Sequence, residues 1–116
     1  MMRQIEVGLL PSGALDAATA FMASHLEAAR AALADGQTTA LAIIMPPAGD
    51  DHRDWRLALA RDLAREAAPK RVNVIAGTPG EARNQTLHFL SDAPGVTGQY
   101  LVYHDNIRAD ANAPQT

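Results

Sequence analysis

The run Thr39-Ala40-Leu41-Ala42-Ile43-Ile44-Met45 is apolar on both of its alternating faces. A strand of that kind needs cover on two sides, which is the condition of a parallel sheet with helices packed over it. A second run, Arg71-Val72-Asn73-Val74-Ile75-Ala76-Gly77, is led in by a long Ala-rich helical pattern and closed by a glycine turn. That is the signature of a buried parallel strand entered from a helix. Two such strands point to an α/β architecture.

The rest of the chain alternates around them. Residues 4–10 read as a short strand with Ile5, Val7, Leu9 and Leu10 as its apolar members, ended by Pro11-Ser12-Gly13. Ser12 is a candidate N-cap. Residues 14–34 form one long helical pattern with Ala14, Ala18, Phe21, Met22, His25, Leu26, Ala29, Ala32 and Leu33 on one face. Asp35-Gly36 stops it. Pro46-Pro47 ends the strand at Met45, and a polar stretch, Gly49-Asp50-Asp51-His52-Arg53-Asp54, leads into a second helix over 54–68. Residues 72–76 are a strand, 81–90 a third helix and 99–104 the last strand. The order is β-α-β-α-β-α-β, an α/β sandwich with a mainly parallel four-stranded sheet. One domain is expected over 1–105, with a loose tail over 106–116.

Composition limits what such a domain can do. The 116 residues are 47% hydrophobic but only 4% aromatic, so the core is built from Leu, Ile, Val and Ala. A chain of this length buries only about two-thirds of its unfolded surface, so a second copy or a partner would add stability. The net charge of -3 gives no electrostatic case for nucleic acid. The absence of cysteine excludes a disulfide framework and a thiolate metal site, and fits a reducing, cytoplasmic setting. No signal peptide is expected, because Arg3 and Glu6 interrupt the only apolar run at the start. No run of about 18 apolar residues exists, so no membrane partner is expected.

A long helix, then Arg71-Val72-Asn73-Val74-Ile75, a Pro-Gly turn, Phe89-Leu90-Ser91-Asp92, and Val96-Thr97-Gly98-Gln99 before a final strand resemble the C-terminal half of a short-chain dehydrogenase/reductase. The family pattern reads roughly Arg-Val-Asn-x-Ile-x-Pro-Gly, then Phe-Leu-x-Ser-Asp, then Thr-Gly-Gln-x-Leu. The similarity runs over residues 57–103 and extends back to Gln4 through element order. It implies a Rossmann-like, partial three-layer sandwich whose strands correspond to the family's fourth to seventh. The family's signature of chemistry is missing. Its glycine-rich dinucleotide turn has no counterpart, since the first strand is followed only by Pro11-Ser12-Gly13. Its catalytic Tyr-x-x-x-Lys would fall within 47–53, where there is neither tyrosine nor lysine, and its catalytic serine would fall at Met45-Pro46-Pro47. The Pro-Gly turn is displaced to Pro79-Gly80, and the substrate-covering insertion beyond it is absent. The resemblance therefore implies a truncated, non-catalytic module. It carries over no catalytic residue, and neither a cofactor nor a metal is expected.

Two places at the carboxyl edge of the sheet could still bind something. Asp51, His52, His104 and Asp105 could form a polar cluster; against that, the acids can serve the helix start while His52, Arg53 and His104 stay solvated. Thr78, Gly80, Arg83 and Asn84 precede or open the third helix and could hold an anion or nucleotide phosphate; against that, they are a plain turn. These are the routes to an alternative reading as a small enzyme or anion-binding protein. His25, on an apolar helix face, reads as packed or at a subunit contact, and His88 has no obvious partner.

The resemblance also implies an interface, because the first two helices of this half make the family's main dimer contact. Phe21, Met22, His25, Trp55 and Leu59 are the candidates; the alternative is that they pack only within the chain. A homodimer, or docking onto a full-length reductase of the family, would cover a bare apolar face or a free strand edge.

Overall fold

β2 (Ala40–Met45) and β3 (Arg71–Ala76) lie side by side at the centre of a four-stranded sheet. β1 (Met2–Glu6) flanks β2 and β4 (Tyr100–Val102) flanks β3, and every pairing is parallel. This computed structural model describes residues 1–105; the expected tail over 106–116 lies outside them. All six residues of β2 are buried, as a strand apolar on both faces requires.

The register sorts the strands onto two cores. Ile5, Ile43, Val74 and Tyr100 share one row, on the face covered by α1 (Ala14–Ser24), α2 (Leu26–Ala34) and α3 (Arg53–Ala67). Ile44, Ile75 and Leu101 share the next row, on the face covered by α4 (Glu81–Ser91) through Leu87 and Leu90. The strands step across the sheet in chain order while α4 lies on the face opposite the other helices. The β3–α4–β4 crossover therefore has the opposite hand to the two before it. Since about 98% of parallel crossovers are right-handed, the single connection is the exceptional one.

Local differences from the sequence reading have local causes. β1 covers 2–6 rather than 4–10, because its partner β2 runs into Pro46 and Pro47, which have no N–H to extend the ladder. Val7 makes the last bond, to the Ile44 carbonyl at 2.8 Å, and Leu9 beyond it is 97% exposed. The helix expected over 14–34 breaks at His25, whose φ of -129° separates α1 from α2. Neither proline nor glycine stands at the break. The sheet-facing stripe of α1 centres on Ala17 and Phe21. Gly13, not Ser12, is the N-cap of α1, with no side-chain bond. A 3-10 turn at Asp50–His52 precedes α3, and no acidic side chain caps either. β4 is three residues long rather than six, although Tyr103 still donates to the Ala76 carbonyl at 3.0 Å. Among the described residues no helix is long and apolar enough to cross a membrane.

Candidate functional site

Parallel strands deliver their following loops to one edge, which is where open α/β sheets bind ligands. Two neighbouring cavities lie there, and Pro47 and Ala48 line both. One, of about 330 Å³, is lined by Gly77, Thr78, Tyr100, Tyr103, His104 and Asp105 at the ends of β3 and β4. The other, of about 260 Å³, lies beyond β1 and β2 and is lined by Ser12, Asp51, His52 and Arg56. Gly77 is required by the first cavity's construction. A Cβ there would stand 2.5 Å from the Tyr103 ring and 2.7 Å from its carbonyl oxygen.

The polar cluster of Asp51, His52, His104 and Asp105 is divided between these cavities. His52 is not solvated; it is 5% exposed. Its Nε2 lies 2.9 Å from the Ser12 carbonyl oxygen and its Nδ1 accepts from the Trp55 indole N–H at 3.1 Å. A carbonyl can only accept, so the ring is the neutral Nε2–H tautomer with both nitrogens engaged. Asp51 lies outside this arrangement, 4.0 Å from Nε2 and largely exposed. His104 and Asp105 are exposed on the other side. Among the described residues no three His, Asp or Glu side chains come together as a metal site would require.

The anion site expected at Thr78, Gly80, Arg83 and Asn84 is filled by the protein's own carboxylate. Asp105 Oδ1 accepts from the Ala82 backbone N–H at 2.9 Å, at the start of α4. Arg83 turns away from that start. Its Nε donates to the Tyr103 hydroxyl at 2.9 Å and a terminal nitrogen donates to Glu6 at 3.1 Å. The bond to Tyr103 is the main reason its guanidinium pKa lies above its ordinary value, with Glu6 adding to it. The Asn84 backbone N–H is spent on the Gly80 carbonyl. Thr78 alone of the four lines the larger edge cavity.

The interface candidates also divide. Phe21 is 0% exposed and Leu59 4%, so both belong to the protein's own core and Phe21 offers nothing to a partner. The cause is periodicity: Phe21 falls one turn after Ala17, on the stripe that meets the sheet. His25 is half-buried at the helix break, its ring 5.6 Å from that of Phe21. Met22, 44% exposed, and half-buried Trp55 do reach the surface. They flank a groove of about 310 Å³ between α1–α2 and α3, with Ala18 and Ala58 as small wall residues. Arg30, Asp62 and Glu66 stand along it. Arg30 holds Glu66 with two bonds of 2.9 Å.

Arg56 belongs to none of the sequence motifs, although its position in the helix carries a signal. It stands three residues before Leu59, four before Ala60 and seven before Leu63, on the buried stripe of α3. Its guanidinium donates to the Pro46 carbonyl at 3.0 Å and to the Tyr100 hydroxyl at 3.2 Å, joining the ends of β2 and β4.

A family model described as SDR-like, short chain dehydrogenase-like protein, matches residues 5–103. The chain belongs to the short-chain dehydrogenase-like family. No curated protein and no solved structure gives a significant match. The residues that carry the dehydrogenase-like pattern do structural work in this fold. Arg71 donates to the Leu90 and Ala93 carbonyls at 2.8 and 3.0 Å, fixing the end of α4. The Thr97 hydroxyl accepts from the Val72 N–H, and the Gly98 N–H donates to the Val72 carbonyl. The family pattern retained here is the clasp that seats the last strand. The positions where the dehydrogenases place Tyr-x-x-x-Lys fall on the loop, the 3-10 turn and the first residue of α3.

Proposed function

We propose that this short-chain dehydrogenase-like chain is a non-catalytic association module of the cytoplasm, acting as a homodimer through the outer face of α1, α2 and α3. One observation carries the reading: the apolar groove between those helices, with Met22 44% exposed beside Trp55. The exposed edge of β1 is a poorer candidate, because Arg3 and Glu6 stand on it in ion pairs with Asp35 and Arg83, and charged edge strands discourage further pairing. The helix face carries charges of both signs, Arg30 against Asp62 and Glu66, so a two-fold axis can set each against its opposite. Ala18 and Ala58 let a second helix pair come close. The dimer contact implied by the family resemblance uses the same helices, and the positions of the family's catalytic groups hold no equivalent side chains.

Light scattering on the purified chain tests this. A dimer mass at micromolar concentration is expected, and Met22→Glu, which places a charge in the groove without touching the core, converts it to monomer with the same circular dichroism. A wild-type monomer, or a dimer indifferent to Met22→Glu, refutes the reading. Recovery of a full-length reductase by a monomeric chain would replace self-association with docking.

A further inference from the structure

Arg56 poses a problem that the fold alone does not solve. It is 1% exposed, yet among the described residues no carboxylate forms an ion pair with it. A guanidinium stays charged at any relevant pH, so burial cannot be relieved by losing a proton. Buried charges are ordinarily paired, because their lost hydration must be replaced. What replaces it here is incomplete. One terminal nitrogen reaches two neutral acceptors, the Pro46 carbonyl and the Tyr100 hydroxyl. The Trp55 and Tyr100 rings lie 5.6 and 5.9 Å from the guanidinium carbon and supply cation–π attraction. Nε is enclosed, with no acceptor among the described residues.

This cation, without an ion-pair partner among the described residues, forms part of the wall of the 260 Å³ cavity at the carboxyl ends of β1 and β2. The rest of the wall narrows the choice of ligand. His52 contributes no charge, since both ring nitrogens are bonded in the neutral tautomer. Leu10, Pro11, Pro46 and Pro47 give it apolar sides. Asp51 also lines it, with a largely exposed carboxylate that repels a second negative charge.

We propose that this cavity binds a small organic monocarboxylate, its carboxylate meeting the Arg56 guanidinium and its short hydrocarbon part lying against the prolines. A planar guanidinium fork matches a carboxylate, one cation balances one negative charge, and the Asp51 carboxylate disfavours a phosphate dianion. The site shares no lining residue with the helix groove proposed for association, although Trp55 adjoins both.

The protein carries its own reporter, since Trp55 is its only tryptophan and adjoins Arg56. The experiment is a fluorescence titration with sodium butyrate, inorganic phosphate and chloride at constant ionic strength, repeated on the Met22→Glu variant. Butyrate is expected to give a saturable change in both proteins and to raise the melting temperature. Phosphate should bind at least about tenfold more weakly, and chloride should have no saturable effect. Arg56→Met should abolish the butyrate response. Ala48→Leu, at an exposed position lining the cavity, should weaken it about tenfold even if Arg56→Met fails to fold. No saturable change with butyrate up to about 100 mM, phosphate binding as tight as butyrate, or a butyrate response unchanged by Ala48→Leu overturns the proposal.

Discussion

The side-chain oxygen of Asn73 accepts the backbone N–H of Gln99 at 3.0 Å, across the gap between β3 and the loop that delivers β4. The same amide donates to the Val96 carbonyl at 3.0 Å, and Asn73 is 3% exposed. One buried side chain thus adds two bonds to the backbone ones that join Val72 to Gly98 and Val74 to Gln99. Asn73→Ala leaves both backbone groups without partners, each worth about 1–3 kcal/mol when buried. A loss of roughly 2–4 kcal/mol is expected from denaturant unfolding. Asn73→Asp keeps the acceptor but sets a buried, unpaired carboxylate against the Val96 carbonyl, so at neutral pH it should cost at least as much as Asn73→Ala. A loss under about 0.5 kcal/mol for Asn73→Ala would mean the clasp holds without it.

Gly77→Ala should be worse tolerated than Gly98→Ala, for different reasons. At Gly77 a methyl would meet the Tyr103 ring at 2.5 Å and its carbonyl oxygen at 2.7 Å, and the backbone atom cannot swing aside. At Gly98 the nearest atom is 3.7 Å away and only the φ of +70° opposes a side chain, at about 1–2 kcal/mol. Overpacking at Gly77 is expected to cost about 1–3 kcal/mol and to displace β4. Amide exchange at Tyr103, which bonds the Ala76 carbonyl, reports it directly. Faster exchange in Gly98→Ala than in Gly77→Ala would reverse the order.

The parallel sheet was legible because it depends on patterns that repeat. Ile43 and Ile44 could both be apolar only if both faces were covered, and each is buried, in a different core. The motif residues Arg71, Asn73, Thr97 and Gly98 were legible as a family pattern, but their work as a clasp is a matter of contacts, which spacing does not reveal. The site was poorly legible for the same reason. His52 looked like a solvated residue of an acidic turn, and only the fold brings Ser12, forty residues earlier, to its ring. Asp105 and Ala82 are separated by 23 residues, so nothing local announced that a carboxylate would close the α4 start. Arg56 was the exception. An arginine on the Leu59–Leu63 stripe violates the apolar pattern, and such violations are where function or strain is to be sought.

The Arg30–Glu66 pair ties α2 to α3 beside the groove. The hydrogen bond from Arg30 holds the Glu66 carboxyl below its ordinary range, and the Glu66 bond raises Arg30. A carboxyl whose pKa is lowered on folding stabilises the folded state above the ordinary carboxylate range. That contribution disappears as pH falls through the folded value. Both side chains are about half-exposed, so the effect is small and screened. Glu66→Gln should lower the melting temperature slightly at neutral pH and low salt. The difference from wild type should shrink as pH falls through and below the ordinary carboxylate range, and should vanish in about 1 M salt. A difference that grows on acidification would contradict the pairing.

Asp105 caps α4 from outside the helix. The N-cap residue Gly80 has no side chain to offer, and a Cβ on it would lie 2.5 Å from Asp105 Oδ2. The helix start is therefore tied to a residue beyond β4 by this bond. Asp105→Ala removes the acceptor for the Ala82 N–H and should cost about 0.5–2 kcal/mol. Asp105→Asn keeps an acceptor and loses the favourable charge at the positive end of the helix, about 0.3–1 kcal/mol. Unfolding midpoints should rank wild type above Asp105→Asn above Asp105→Ala, with faster exchange of the Ala82 amide in the last. If Asp105→Ala leaves both midpoint and exchange unchanged, the carboxylate is not the cap, and the start of α4 is again open to an external anion.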